Sequence, residues 1–204
     1  MKTWFDSKLF QFFAGVVDVV WISLLWYISS LPAVTLGASS AAMYYTVHTR
    51  IFKNEGYLFP VYKKAFLDNF KKATVVWLFC LLLDLFLVLD LFLARMAIDQ
   101  GSALAVLYYP VLICIVIAVM CQLSIVAYQA RFEDTIKAVL VKGSVIAVSN
   151  IGWLLFLTAF LFGLIYLCRY LIFLAVVAPA GYTCLMHHVF EHIYKKRGWL
   201  IERS

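Results

Sequence analysis

Few side chains in this sequence can carry chemistry, and most of them lie inside apolar runs. Asp84 sits near the middle of the run from Ala73 to Ala94. A carboxylate at that depth costs about 2.5–3.5 kcal/mol on insertion scales, so it must face a partner or a wet cavity. Asp90 follows about 9 Å further along the axis and on a different helical face. Asp18 interrupts the first apolar run in the same way. Together the three acids read as a cation or proton site. The competing reading is a helix-packing hydrogen bond, or an ion pair with Arg95 or Arg169. A second group is His188-Val189-Phe190-Glu191-His192, which matches the H-x-x-E-H pattern of inverted zinc peptidases. On a helix His188 and His192 share a face, as zinc needs. Such a site also needs a further acidic ligand downstream, and only Glu202 follows, so no metal is expected; His187 adds only an adventitious ligand. A third group is the hydroxyls Ser29, Ser30, Thr35, Ser39 and Ser40 around Pro32. A broken helix whose new N-terminus points into the membrane binds anions or polar solutes there. Alternatively, the hydroxyls satisfy backbone groups exposed by the bend.

The elements that hold these residues follow from composition. The chain has 204 residues, 65% hydrophobic and only 14% charged, against about 45–50% and about 25% in soluble domains. Both departures point to lipid, and the length to one domain, residues 1–204. Five cysteines, Cys80, Cys114, Cys121, Cys168 and Cys184, all lie in apolar runs without a C-x-x-C pair, so neither a disulfide framework nor a thiol metal site is expected. No Walker loop, G-x-G-x-x-G or G-x-S-x-G occurs. The expectation is therefore a non-enzymatic protein without a cofactor.

Taken in order, Leu9 to Leu31 reads as a retained membrane helix rather than a cleavable signal, because its apolar core is too long and lacks a clear cleavage site. Pro32 then opens a second helix to Lys53, since proline is tolerated in a first turn. That helix either crosses the membrane or re-enters it. Tyr62 to Lys72 is an amphipathic surface helix with Lys63, Lys64, Lys71 and Lys72 between Phe66, Leu67 and Phe70. Ala73–Ala94 is the third span, Arg95–Ser102 a loop and Ala103–Gln129 the fourth span. Arg131–Ser149 is a second surface helix, Asn150–Cys168 the fifth span and Tyr170–Tyr194 the sixth. Pro110 repeats the proline-started return; Pro179 either repeats it or kinks one helix, since the run from Leu171 to Ala178 is too long for a tight bend. The predicted fold is an all-α polytopic bundle of about six spans in three helical hairpins with two amphipathic surface helices. With both termini cytoplasmic, fifteen of the seventeen Lys and Arg fall inside, leaving only Arg95 and Arg169 outside. This is the positive-inside bias, and it explains the net charge of +6 without a nucleic-acid partner. The basic surfaces at Lys63–Lys72 and Lys195, Lys196 and Arg197 fit a partner protein or anionic lipid equally. Tyr44, Tyr45, Tyr108, Tyr109, Tyr128 and Tyr194, near span ends, read as an interfacial belt.

Several stretches resemble the YesL family of bacterial membrane proteins. They are Asp18 to Trp26, Ser30 to Gly37, Ala42-Met43-Tyr44-Tyr45 and Phe66 to Lys72, with Leu31-Pro32-x-x-Thr35-x-Gly37 the most specific. The family often has Asn where this chain has Ser23 and Pro where it has Ala38. The resemblance implies a bacterial plasma-membrane protein, and a family often encoded near sugar-uptake transporters and two-component sensors. It implies no known activity. The expected function is an accessory or regulatory component linked to carbohydrate uptake, with sugar-transporter or sensor subunits as partners. The alternative is a small secondary transporter or channel that uses Asp84.

Overall fold

The computed structural model describes residues 8–99 and 106–199. Among these the chain is all helix, without strands, in the order α1 (Lys8–Ser30), a 3-10 turn (Ala33–Thr35), α2 (Leu36–Thr46), a π-helical turn (Val47–Phe52), α3 (Leu58–Asp99), α4 (Tyr108–Arg131), α5 (Ile136–Ser149), α6 (Ile151–Cys168) and α7 (Ile172–Lys196). Five helices, α1, α3, α4, α6 and α7, are long and apolar enough to cross a membrane. Large apolar side chains cover their outer faces. On α3, Leu82, Leu85 and Phe86 are each at least 60% exposed, a surface that suits lipid and not water.

The segment after Pro32, expected either to cross or to re-enter the membrane, is a buried inner strut. The α2 helix has 11 residues and the π turn 6, together about 25 Å long by helix rise. Small residues make the strut buriable: Gly37, Ala38, Ser39, Ala41 and Ala42 are all buried. A Cβ on Gly37 would lie 2.5 Å from Trp77 Cβ and 2.8 Å from the Ala73 carbonyl oxygen, so only glycine lets α2 and α3 approach this closely. Opposite faces of α2 feed two core clusters. Ala41 and Tyr44 join α3 to α7 residues in the larger one. Ala42, Met43 and the following Val47 pack with Ile22 of α1, Tyr62 and Ala65 of α3 and Ala180 of α7.

Two sequence-based divisions are corrected. The surface helix at 62–72 and the third span are one 42-residue helix, α3. Neither glycine nor proline occurs between Pro60, in the first turn, and Asp99, so nothing breaks the helix where its composition changes. At about 63 Å it is twice the roughly 30 Å bilayer core; its lysine-rich first third extends beyond the hydrocarbon. The helix also continues through Arg95–Asp99, where a loop is expected from the sequence. The second surface helix, α5, is separate as expected. A Thr135 N-cap starts it, with the hydroxyl oxygen accepting from the Ala138 amide.

The prolines behave in two ways. Pro32 is extended and Pro110 lies in the first turn of α4, both at helix starts. Pro179 lies inside α7 and starts no hairpin. An interior proline leaves backbone groups unpaired, and in lipid these must find partners. Helix α1 supplies them. Tyr27 Oη donates to the Ala175 carbonyl, four residues before Pro179, at 2.9 Å. The Ala180 amide donates to Ser23 Oγ at 3.2 Å. Ser23 thus ties α1 to the break in α7.

Candidate functional site

The π turn, the start of α3, the α4–α5 connection and the end of α7 meet at one end of the bundle. This end holds most of the polar chemistry. Arg131, the last residue of α4, donates from Nε to Glu191 Oε1 at 2.7 Å and from Nη2 to Oε2 at 3.3 Å. Its Nη1 lies 2.8 Å from His48 Nε2. Arginine has no acceptor, so His48 must accept at Nε2 and carry its proton on Nδ1. That proton points to His187 Nε2, 2.7 Å away. His187 therefore carries its own proton on Nδ1, which is buried without a hydrogen-bond partner. The result is a directed chain, Arg131 to His48 to His187, whose last donor has no acceptor. Phe52, closing the π turn, stacks on the His187 ring at 4.0 Å between centroids. The Tyr44 and Tyr194 hydroxyls are also buried without partners, within electrostatic reach of Glu191 and Arg131.

Local sequence explains the assembly. The buried face of α7 runs through Tyr182, Met186, Val189, Phe190, Ile193 and Tyr194, and helical spacing places His187 beside that face. Glu191, one turn on, follows it inward. His188 and His192 fall on the opposite, exposed side, so the H-x-x-E-H pattern assembles no site; its glutamate belongs to another cluster. On the strut, the wider π turn carries His48, whose carbonyl accepts from Lys53 at 3.1 Å. Single π turns recur at functional sites.

The same end has an open groove of about 420 Å³, walled by Lys64, Asp68 and Lys72 of α3, Tyr45 of α2, and Arg131 and Glu133 at the end of α4. Lys63 and Lys71 are exposed nearby on α3, as are Lys195 and Lys196 on α7. Arg197 lies over the Trp199 ring at 5.3 Å. Beyond the groove, Asp134 accepts from Lys142 Nζ at 2.8 Å and from Tyr128 Oη. The lysine first, then the tyrosine, holds the Asp134 carboxyl below its ordinary range.

The acids expected to form one site are apart and differently bonded. Asp84 accepts from Gln122 Nε2 at 2.7 and 2.8 Å. Asp18 pairs with Arg50 Nε at 2.9 Å, tying α1 to the π turn. Asp90 is half-buried about one and two-thirds turns beyond Asp84 and is in none of the ion pairs among the described residues. At the Pro32 bend Ser29, Ser30, Thr35 and Ser39 bond to backbone carbonyls, while Ser40 Oγ accepts from Trp26 Nε1 at 3.2 Å. Thr35 Oγ1 donates to the Ser29 and Pro32 carbonyls at 2.6 and 2.7 Å, and Ser39 Oγ to the Thr35 carbonyl at 2.9 Å. Trp77 Nε1 donates to the Ala33 carbonyl at 2.8 Å. Of the remaining motif residues, Leu31 is exposed, Gly37 is the α2–α3 contact, and Tyr44 is buried while Tyr45 faces the groove. Sequence reasoning missed His48, Gln122 and the role of Arg131; the available signal was polar residues inside or closing apolar helices.

Residues 19–91 of the 204 are similar to the family described as Protein of unknown function, DUF624. That stretch includes the Pro32 bend, the whole strut and the α3 wall of the groove. No curated protein and no solved structure matches the chain.

Proposed function

We propose that this multi-pass protein is a non-catalytic accessory or regulatory subunit that docks a partner protein in the groove at its basic end. The observation that carries the reading is the contrast between the polar sites. Asp18 and Asp84, on which a transport reading depends, are bonded within the chain to Arg50 and Gln122. The groove, by contrast, is open and presents both signs of charge from Lys64, Lys72, Asp68 and Glu133. Mixed charge suits a protein partner better than anionic lipid, which asks for lysine and arginine alone. The similarity to DUF624 is consistent with the YesL resemblance, which supplies the partner class: transporter or sensor subunits of carbohydrate uptake. In this reading the protein lies in a bacterial plasma membrane with the groove and both termini cytoplasmic, as the positive-inside bias favours.

The test is affinity purification from native membranes in mild detergent, comparing wild type, Lys64→Glu/Lys72→Glu and Asp84→Asn. Wild type and Asp84→Asn should retain stoichiometric transporter or sensor subunits, and the double charge reversal should lose them at least tenfold. Partner recovery unchanged by the charge reversal would overturn the reading. So would solute uptake in liposomes containing only this protein, abolished by Asp84→Asn; that outcome would establish the transporter alternative.

A further inference from the structure

Behind the groove, His48, His187 and Glu191 remain without an assigned role. We propose that these three residues bind a divalent transition-metal ion of the zinc class through His48 Nδ1, His187 Nε2 and Glu191 Oε1. The donor set is two imidazoles and a carboxylate, which suits borderline ions over calcium or magnesium. All three ligand atoms lie within 4.8 Å of one another. The two nitrogens are 2.7 Å apart, and they lie 3.8 and 3.7 Å from the carboxylate oxygen. A tetrahedral ion with bonds of about 2.0–2.1 Å holds its ligand atoms about 3.3 Å apart. The nitrogens must therefore separate by about half an ångström and the carboxylate must close by slightly less, which are side-chain movements.

The surroundings fit such an ion. His187 and Glu191 are one turn apart on α7, so one helix face presents two ligands to the third on the strut. Phe52 holds the His187 ring by stacking. The Tyr44 ring lies 5.7 Å from the His187 ring between centroids, and its buried hydroxyl lacks a hydrogen-bond partner among the described residues. Ion binding also dictates a change at Arg131. With Nδ1 on the metal, His48 carries its proton on Nε2, facing the Arg131 Nη1 donor, so Arg131 must release His48. Glu191 Oε1 must likewise exchange its 2.7 Å bond from Arg131 Nε for the ion, so Arg131 opposes binding and keeps only Oε2, 3.3 Å from Nη2. Since Arg131 also lines the groove, occupancy alters the charge presented there. That consequence rests on the docking reading; the metal site does not.

The experiment uses full-length protein in detergent, without a histidine tag and stripped with chelator, titrated with Zn²⁺ alone against a chromophoric competitor. One ion per chain is expected, bound at least tenfold more weakly in His48→Gln, His187→Gln and Glu191→Gln, and unchanged in the exposed control His188→Ala/His192→Ala. Arg131→Gln should bind several-fold more tightly, because it removes a cation and a donor that oppose the ion; a fold defect cannot mimic that gain. Co²⁺ bound to wild type should give the strong visible bands of a tetrahedral nitrogen-oxygen site. The proposal is overturned if wild type binds no Zn²⁺, if the His188/His192 control loses the ion while His48→Gln keeps it, if Arg131→Gln does not tighten binding, or if the Co²⁺ spectrum is octahedral.

Discussion

The ion pair between Arg131 and Glu191 should behave as a buried pair although it lies near a helix end. Their side chains are 15% and 20% exposed, and Arg131 also serves His48 Nε2. Removing one partner of a buried pair costs about 3–5 kcal/mol. Partial exposure puts Glu191 near the lower end of that range. Arg131→Met leaves both the Glu191 carboxylate and the His48 acceptor unpaired, and the second orphan adds about 1–3 kcal/mol. The expected loss is therefore about 4–5 kcal/mol. Glu191→Leu should cost less, about 2 kcal/mol, because Arg131 keeps His48 and its long side chain reaches water through the groove. The double variant leaves only His48 Nε2 unpaired, at about 1–3 kcal/mol, and should recover most of the loss, giving a coupling of about 4–5 kcal/mol. The assay is reversible unfolding in mixed micelles with rising SDS mole fraction, followed by tryptophan fluorescence in chelator. A coupling below about 0.5 kcal/mol, the range of exposed pairs, would refute the reasoning. So would a Glu191→Leu cost exceeding that of Arg131→Met.

Two further outcomes follow from packing and from the membrane acids. Gly37→Ala places a methyl against Trp77 Cβ and the Ala73 carbonyl; overpacking of about 1–3 kcal/mol should outweigh a helix-propensity gain of about 1 kcal/mol. Gly163→Ala, with nothing within 4 Å of its Cβ position, should be neutral or stabilising, and melting temperatures in detergent separate the two. Asp84→Asn keeps a hydrogen-bonding partner for Gln122 and should change stability by less than about 1 kcal/mol. Gln122→Leu strands the Asp84 carboxylate and should cost about 2.5–3.5 kcal/mol, read as lost yield of folded protein; equal effects of the two variants would contradict the assigned bond.

The strongest signals in the sequence were the apolar runs and the breakers that bound them. Long apolar stretches identify five of the helices because length and hydropathy are intrinsic to each segment. The Lys72–Ala73 boundary misleads because composition changes there while the backbone meets no breaker, so α3 continues. Pro179 misleads in the opposite direction. A proline ends a helix only when its orphaned backbone groups find no other partner, and here Ser23 and Tyr27, more than 140 residues away, supply them. That compensation lies in tertiary contacts and is invisible to a local reading.

The site shows the same division more sharply. The pattern His187-His188-x-x-Glu191-His192 contains two alternative constellations, and spacing alone favours the motif that uses His188 and His192. Helical phase decides otherwise. Tyr182, Thr183, Met186, Phe190 and Tyr194 define an inward stripe; His187 adjoins it, while His188 and His192 fall on the far side of the helix. This inference was available from α7 alone. The third member was not. His48 sits in a π turn, whose i→i+5 hydrogen bond shifts the phase of the strut, and its partner on α7 is 139 residues away. Arg131 is subject to a similar limit. As the last residue of an apolar helix it fits the topology rule for basic ends, which accounts for its charge and position but not for its three partly buried hydrogen bonds. A basic residue that closes a span can thus satisfy membrane topology and still belong to a site; what distinguishes the two is whether the neighbouring spans bring a carboxylate and an imidazole to the same depth.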